Sequence, residues 1–348
     1  MGGGFIYTQE LNHLSTSPHF SIIIPVYNRP EELDELLMSL SSLEGTRDFE
    51  VIVVEDGSSR PSEEVVRTHE SDLNIRYICQ ENTGPGGARN RGAEVAVGEM
   101  FIFLDSDTVL PPGYLEEVRE ALNTNPVPLW GGPDRASEDF TEIQQAISYS
   151  MTSFFTTGGI RGGKQKLDKF YPRSFNMGVS AEVFREVQGF AKLRFGEDLD
   201  LSMRILEQGY ASALFPKAWV YHKRRVNWRQ FYKQVYNSGI ARINLQILHP
   251  GSLKAVHLLP SLFVIFHVII LIGALAGYPY LLIFPLLYML MIVVDVFVRT
   301  GWMSLAFHSV VAAYVQLFGY GLGFLHAAWR RLVRGKGNFS GFDKNFYE

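Results

Sequence analysis

FIFLDSDTVL, residues 101–110, is an apolar run that ends on two carboxylates, Asp105 and Asp107, with one serine between them. Carboxylates are costly to leave unpaired at the edge of a core, so a cationic group is expected beside this pair. The same plan recurs upstream. FSIIIPV (20–26), FEVIVVED (49–56) and NIRYICQ (74–80) are short β-branched or apolar runs, and stretches of helical character such as PEELDELLMSLSSL (30–43) lie between them. Such alternation predicts βαβ crossovers, a mainly parallel sheet and an α/β fold. Ligands on sheets of this kind gather beyond the carboxyl ends of the strands. Here each end opens into a polar loop: PVYNRPEE, EDGSS, ENTGPGGARNRG and DSDT. Four such loops on one rim make one site.

Working outward, residues 125–196 read as an irregular, Gly-rich stretch that would hold a variable substrate. Beyond it the chain changes solvent. AVHLLPSLFVIFHVIILIGALAGY (255–278) and PYLLIFPLLYMLMIVVDVFV (279–298) each supply the roughly 20 apolar residues needed to cross a hydrocarbon core. A third stretch, 302–329, is long enough but carries His308, Gln316, His326 and several glycines. In VNWRQFYKQVYNSGIARIN (226–244), Trp228, Phe231, Tyr232 and Val235 share one side, while Arg229, Lys233 and Arg242 fall largely elsewhere, as in a helix lying on a membrane surface. The expected organisation is an extension over 1–19, an α/β domain over 20–225, an interfacial region over 226–254, membrane helices over 255–334 and a tail over 335–348.

Composition narrows the function. An apolar share of 47% is high for a soluble enzyme, and the single cysteine, Cys79, permits no disulfide framework and fits a reducing compartment. Residues 254–348 carry a net charge of +4 and residues 1–253 one of −8, which is no nucleic-acid-binding balance. The N-terminal MGGGFIYTQELNHLS lacks a basic start followed by an apolar core, so no cleaved signal is expected.

Each chemistry-bearing motif has a bland reading and a functional one. D-x-D at a strand exit closes an Asx-type turn or presents two carboxylates to a hard divalent ion. Gly84, Gly86 and Gly87 make a plain turn into a helix, or let the backbone approach a phosphate, a reading that Arg89 and Arg91 favour. No Gly-Lys-Ser/Thr follows, so this is no Walker loop. Asp56 at the end of VVED is a cap residue or an acceptor for a base or ribose. Glu197, Asp198 and Asp200 crowd a helix start, where acids are electrostatically favoured. Asp200 and Arg204, four apart, are set to pair, which leaves Asp198 or Glu197 available as a base. His222 ends a strand-like run before Lys223, Arg224 and Arg225, a cluster suited to a diphosphate or to anionic lipid heads.

Taken in order, SIIIPVYNRPEEL, VIVVEDGSS, NTGPGGARNRG, LDSDT, SFNMGVSAEVF and GEDLDLSMRI resemble the family 2 glycosyltransferases of the GT-A fold, over about residues 20–242. The resemblance implies Mg²⁺ or Mn²⁺ on the diphosphate of a nucleotide sugar, a UDP-sugar being favoured. Asp107 would be the direct ligand, His222 would complete the shell, and Asp105 would face the ribose or the ion. The donor would be held by Pro25, Tyr27, Arg29, Asp56, Asn82, Gly86, Arg89 and Asp105. Asp198 would be the base of an inverting displacement, with Glu197, Arg224, Arg225 and Gln234 toward the diphosphate or acceptor. QVYNS from Gln234 stands where processive relatives carry Q-x-x-R-W, which points to transfer of a single sugar. A polar donor and a membrane anchor together imply a lipid-linked acceptor, bilayer lipids as neighbours, and an inner-membrane enzyme facing the cytoplasm. The alternatives are a catalytically silent nucleotide-sugar-binding subunit and a sugar-phosphate nucleotidyltransferase. Three full crossings would place RRLVRGKG outside, against the positive-inside tendency. Two crossings plus an interfacial or re-entrant third segment would keep it inside.

Overall fold

The computed structural model describes residues 6–7, 19–135, 140–157, 170–222 and 227–333. They divide into two compact units, the first drawn from 1–135 and 167–222, the second from 136–166 and 223–339. In chain order the first unit contains β1 (Ile6–Tyr7), β2 (Phe20–Val26), α1 (Pro30–Ser41), β3 (Phe49–Asp56), α2 (Glu63–His69), β4 (Ile75–Gln80), α3 (Pro85–Val95), β5 (Met100–Leu104), β6 (Thr108–Val109), α4 (Tyr114–Thr124), β7 (Leu129–Gly131) and β8 (Asp134–Arg135). After α5 (Glu142–Thr152) and α6 (Phe154–Thr157), which belong to the second unit, it resumes with β9 (Asn176–Ser180), α7 (Ala181–Glu186), α8 (Glu197–Glu207), β10 (Ser212–Leu214) and β11 (Val220–His222).

The main sheet has the order β1-β4-β3-β2-β5-β9-β7-β10. Strands β4, β3, β2 and β5 are mutually parallel, with Phe20 opposite both Phe49 and Met100. All eight residues of β3 are buried, the continuous pattern expected of a parallel strand covered on both faces. On one face the cover includes Leu33, Leu36, Leu37 and Leu40 of α1 with Tyr114, Leu115 and Val118 of α4. On the other it includes Ala88 and Ala93 of α3, Phe184 of α7, and Leu201 and Ile205 of α8. The spacing 33, 36, 37, 40 is one helical face, as read from the sequence. Among the buried acids of β3, Glu50 accepts from Ser21 Oγ at 2.7 Å and Val97 N at 2.8 Å, and Glu55 from Ser62 N at 2.7 Å and Tyr77 Oη at 3.0 Å.

The stretch 125–196 is more regular than expected. It supplies two strands of the main sheet, β9 antiparallel to β5 and β7 antiparallel to β9. Glycine explains the misreading. A Cβ on Gly178 would lie 2.0 Å from Trp130 Cε2, so the indole packs flat on a strand whose glycine reads as a breaker.

A second, three-stranded sheet, β6-β11-β8, pairs β11 antiparallel to β6 with His222 opposite Thr108. That register carries His222 to the residue next to Asp107, although the two are far apart in sequence.

The second unit holds α5 and α6 together with α9 (Trp228–Leu248), α10 (Leu259–Leu275), α11 (Ile283–Thr300) and α12 (Met303–Ala328). Three helical segments, 255–275, 279–300 and 303–331, are long and apolar enough to cross a membrane. Helix α9 carries more than the expected single apolar side. Phe231 and Val235 are buried, Tyr232 is exposed, and burial continues through Gly239, Ala241, Ile243 and Leu245.

Candidate active site

At the exit of β5, Thr108 N and Oγ1 both donate to Asp105 O, at 3.1 and 2.7 Å, so the LDSDT turn is closed by its threonine. The carboxylates are thereby left for other partners. Asp107 is buried, with Oδ2 taking Arg29 Nη1 at 2.5 Å and Oδ1 lying 3.2 Å from His222 Nε2. One ligand atom from each of Asp105, Asp107 and His222 falls within 4.8 Å of the others. The His222 ring stacks on Phe175 at 4.9 Å, which fixes its plane. Two carboxylates and an imidazole in this compass fit a hard or borderline divalent ion such as Mg²⁺ or Mn²⁺.

Arg89, almost wholly buried, joins this cluster to a second one. Its Nη2 donates to Asp105 Oδ1 at 2.6 Å and its Nη1 to Glu197 Oε1 at 3.2 Å. Glu197 and Asp198 open α8 after Gly196, whose φ of +80° is a glycine conformation. Asp198 Oδ2 accepts from Arg173 Nε at 2.6 Å and Oδ1 from Leu199 N at 2.8 Å. Burial alone would raise the Asp198 pKa, but the Arg173 charge and hydrogen bond outweigh it and hold the carboxyl below the usual range. Glu197 goes the other way, pushed up by burial and then by the Asp198 charge, with Arg89 opposing. Asp200 pairs with Arg204 Nη2 at 2.8 Å as expected, and that guanidinium also holds Gly189 O. The third acid is thus structural.

The neighbouring loops are stitched together by side chains. Asp56 is buried and holds the β4–α3 loop: Oδ1 accepts from Gln80 Nε2 and Thr83 N, Oδ2 from Gly84 N, all at 2.7–2.8 Å. Asn82 Nδ2 returns a bond to Asp56 O at 2.8 Å. Gly86 lies against Glu197, where a Cβ would come 3.5 Å from Cγ. Pro25 sits on β2 opposite Val54, and Tyr27 follows it, exposed.

The structure therefore brings Arg29, Arg89, Asp105, Asp107, Glu197, Asp198 and His222 together through direct contacts or the three-ligand cluster. Gln234 lies on α9 in the second unit, and Arg224 and Arg225 lie outside the described residues. Three contributors escaped the sequence reading. Arg173 and Phe175 sit in the stretch read as irregular. Asn28 adopts φ +55° and accepts from Ser59 N at 2.8 Å and Arg60 N at 3.0 Å, tying the β2 and β3 loops and setting Arg29 in place. Its signal was available, since Asn tolerates the left-handed region and follows a strand.

A mainly parallel, doubly covered sheet with an acid pair at a strand exit and a second at a helix start defines a GT-A-like transferase domain. Residues 21–187 match the Glycosyl transferase family 2 model. Those residues form a family 2 glycosyltransferase domain. Validoxylamine A glucosyltransferase of Streptomyces hygroscopicus subsp. jinggangensis is 39% identical over 114 residues, 32% of this chain and 27% of that protein. The GalNAc(5)-diNAcBac-PP-undecaprenol beta-1,3-glucosyltransferase of Campylobacter jejuni is 34% identical over 109 residues, 30% of this chain and 35% of that protein. The matches thus span about a quarter to a third of these relatives' length. The mannosyltransferase PcManGT of Pyrobaculum calidifontis, solved with GDP-Man and Mn²⁺, superposes with a TM-score of 0.56 at 16% identity over 92% of this chain and 89% of that one, a likeness of fold.

Proposed function

We propose that the protein is an inverting, divalent-metal-dependent glycosyltransferase that moves one sugar from a nucleotide-diphosphate sugar, a UDP-sugar first, to a lipid-linked acceptor at the cytoplasmic face of the inner membrane. The observation that carries this reading is the convergence of Asp105, Asp107 and His222 beside the Arg89–Glu197 and Arg173–Asp198 pairs. A bound divalent ion would supply positive charge to the departing diphosphate. Asp107, Asp105 and His222 would hold it, and the PcManGT complex with GDP-Man and Mn²⁺ supports the ion. Arg29 and Arg89 would turn donors toward phosphate oxygens. Asp56 retains acceptor capacity on Oδ2 for a nucleobase N–H, next to the Pro25–Arg29 loop and Asn82. The apolar helices and the lipid-linked name of the Campylobacter relative support the acceptor class.

Asp198 is the proposed base, taking the acceptor hydroxyl proton as that oxygen attacks the anomeric carbon. Its depressed pKa keeps it ionised, and Arg173 fixes its orientation. One observation favours a second assignment: the upward shift of Glu197 makes it the stronger base of the pair near neutrality. The deciding experiment incubates detergent-purified protein with UDP-, GDP- and dTDP-sugars and Mn²⁺ and records which diphosphate is released, for wild type, Asp198→Asn and Glu197→Gln. Asp198→Asn is expected to keep donor binding and lose transfer. Normal transfer by that variant would move the base to Glu197, and turnover untouched by a chelator would remove the ion.

A further inference from the structure

We propose that the turn joining α9 to α10 binds the phosphate of an anionic lipid headgroup through Arg242, Lys254 and His257. This concerns a lipid of the surrounding membrane and is independent of the donor and acceptor chemistry proposed above.

Between Glu207 and Asp295 the sequence contains no acidic residue and eight lysines and arginines. Among the described residues of the second unit the acids are Glu142 and Asp295, and both are engaged elsewhere. Glu142 accepts from Ser304 Oγ at 2.6 Å, and Asp295 accepts from Tyr149 Oη at 2.8 Å and Arg299 Nε at 2.9 Å. Among the described residues no carboxylate is paired with Arg242 or Lys254. The positive charge of this region therefore looks to a partner outside the chain.

The fold gathers that charge. Helix α9 ends at Leu248, the chain reverses through Gly251 (φ +89°), and Ser252 N donates to His249 O at 3.0 Å. Leu253 N then donates to Gln246 Oε1 at 2.7 Å, and the Leu253 side chain packs against the cluster of Ile243, Phe324 and Ala327. Lys254 and the 3₁₀ turn Ala255–Leu258 are thereby returned alongside α9. There the charges of Arg242 and Lys254 both act on the His257 ring. His257 Nδ1 accepts from Lys254 N at 3.0 Å, so the neutral ring keeps its proton on Nε2 as a donor. Arg242 Nε and, in the turn itself, Ser252 Oγ are buried with no hydrogen-bond partner among the described residues. A phosphate oxygen beside Arg242 supplies both the acceptor its Nε lacks and the negative charge the turn lacks. Position selects a lipid over a soluble anion. Lys254 immediately precedes the apolar segment 255–275, at the level where hydrocarbon gives way to headgroups. Leu258, Leu259 and Leu262 on the adjoining turns are exposed, a surface for the acyl chains. Cations commonly flank a span, but bare charge requires neither a buried guanidinium Nε nor an imidazole N–H beside it.

The test uses full-length protein in phosphatidylcholine vesicles, with a bimane on Leu258→Cys in a Cys79→Ser background, Cys79 being the only cysteine. Quenching by phosphatidic acid carrying a nitroxide on its acyl chain is compared with quenching by phosphatidylcholine labelled at the same carbon. Phosphatidic acid is expected to quench at a several-fold lower membrane fraction. Arg242→Gln and Lys254→Gln should each weaken that preference roughly fivefold, the worth of one cation at an anionic surface. His257→Phe, which removes the imidazole N–H, should weaken it as well. Arg242→Lys keeps the charge but loses the guanidinium fork, and should weaken the preference nearly as much as Arg242→Gln. Arg229→Gln, at an exposed position near the start of the same helix, should leave it within about twofold of wild type. Full retention by Arg242→Lys, or an equal loss in Arg229→Gln, would replace the site by diffuse charge and overturn the proposal. Equal quenching by the two lipids would overturn it outright. Relief of quenching by millimolar inorganic phosphate would assign the turn to a soluble anion and overturn the lipid.

Discussion

The two units bury opposite things. In the first, Ile22, Ile24, Val51 and Val53 are wholly inside, and four buried charges of the site, Arg89, Asp107, Glu197 and Asp198, are engaged in ion pairs. In the second, Leu275 and Val298 are about four-fifths exposed, and what packs inside includes Gly239, Gly319, Gly321 and Gly323. Water drives the first arrangement by expelling apolar surface. Lipid offers no such drive, because its tails are as apolar as leucine, so helices associate there through small residues that bring backbones close. The difference teaches that residue identity has no fixed structural meaning until the solvent is known. The same glycine that reads as a breaker in the first unit is a packing surface in the second.

The comparison is broken most severely by unpairing a buried charge. Arg89→Met leaves Asp105 and Glu197 without their shared cation and is expected to cost roughly 3–5 kcal/mol, toward the lower end because Asp105 is partly exposed. Thermal unfolding in detergent would read the loss, and wild-type stability would mean that these pairs are not what holds the rim together. Asp107→Ala, which removes a ligand and releases Arg29 and His222, should lower nucleoside-diphosphate release by on the order of a hundredfold or more. Its Mn²⁺ affinity, followed by the EPR signal of the free ion, should fall with it.

The second unit answers to bulk rather than charge. Gly323→Leu drives a side chain into Tyr236, where even a Cβ would lie 2.0 Å from the backbone oxygen, and should cost about 1–3 kcal/mol. Mn²⁺ binding is expected to survive that change, and its loss would show that the two units are not energetically separable.

A finer effect lies in pH. The folded-state pKa of Glu197 is raised, so folding favours its protonated form, and the associated stability is present below the ordinary Glu range and lost as pH rises toward neutrality. Glu197→Gln should flatten that slope in pH-dependent melts. The lowered pKa of Asp198 acts in reverse, its stabilisation present above the ordinary Asp range and lost on strong acidification. Asp198→Asn should therefore remove the acid limb and, by taking away the charge that helps raise Glu197, also weaken the slope toward neutrality. Least of all, Cys79→Ser at an exposed position should stay within about 0.5 kcal/mol of wild type, which qualifies it as the labelling background.

Much of the first unit was legible because its strands are continuous apolar runs ending in polar loops. FEVIVVED and FIFLD announce buried parallel strands whatever follows them. The carboxylates were legible for the same reason: Asp105, Asp107 and Asp198 are conspicuous at strand and helix ends. What failed was the stretch around Trp130 and Gly178. There a strand is made by an indole resting on a glycine, and neither residue signals a strand alone.

Sequence alone determined the alternation of strands and helices, the family motifs and the presence of apolar segments long enough to span, since each depends on local spacing and composition. Only tertiary structure decided which cation meets which acid: Arg29 with Asp107, Arg89 between Asp105 and Glu197, and Arg173 on Asp198. It likewise decided that His222 stands beside Asp107, through a strand pairing across more than a hundred residues, and that Gly321 rests on the start of α10. Such contacts are fixed by the close packing of distant segments, and no local pattern encodes them.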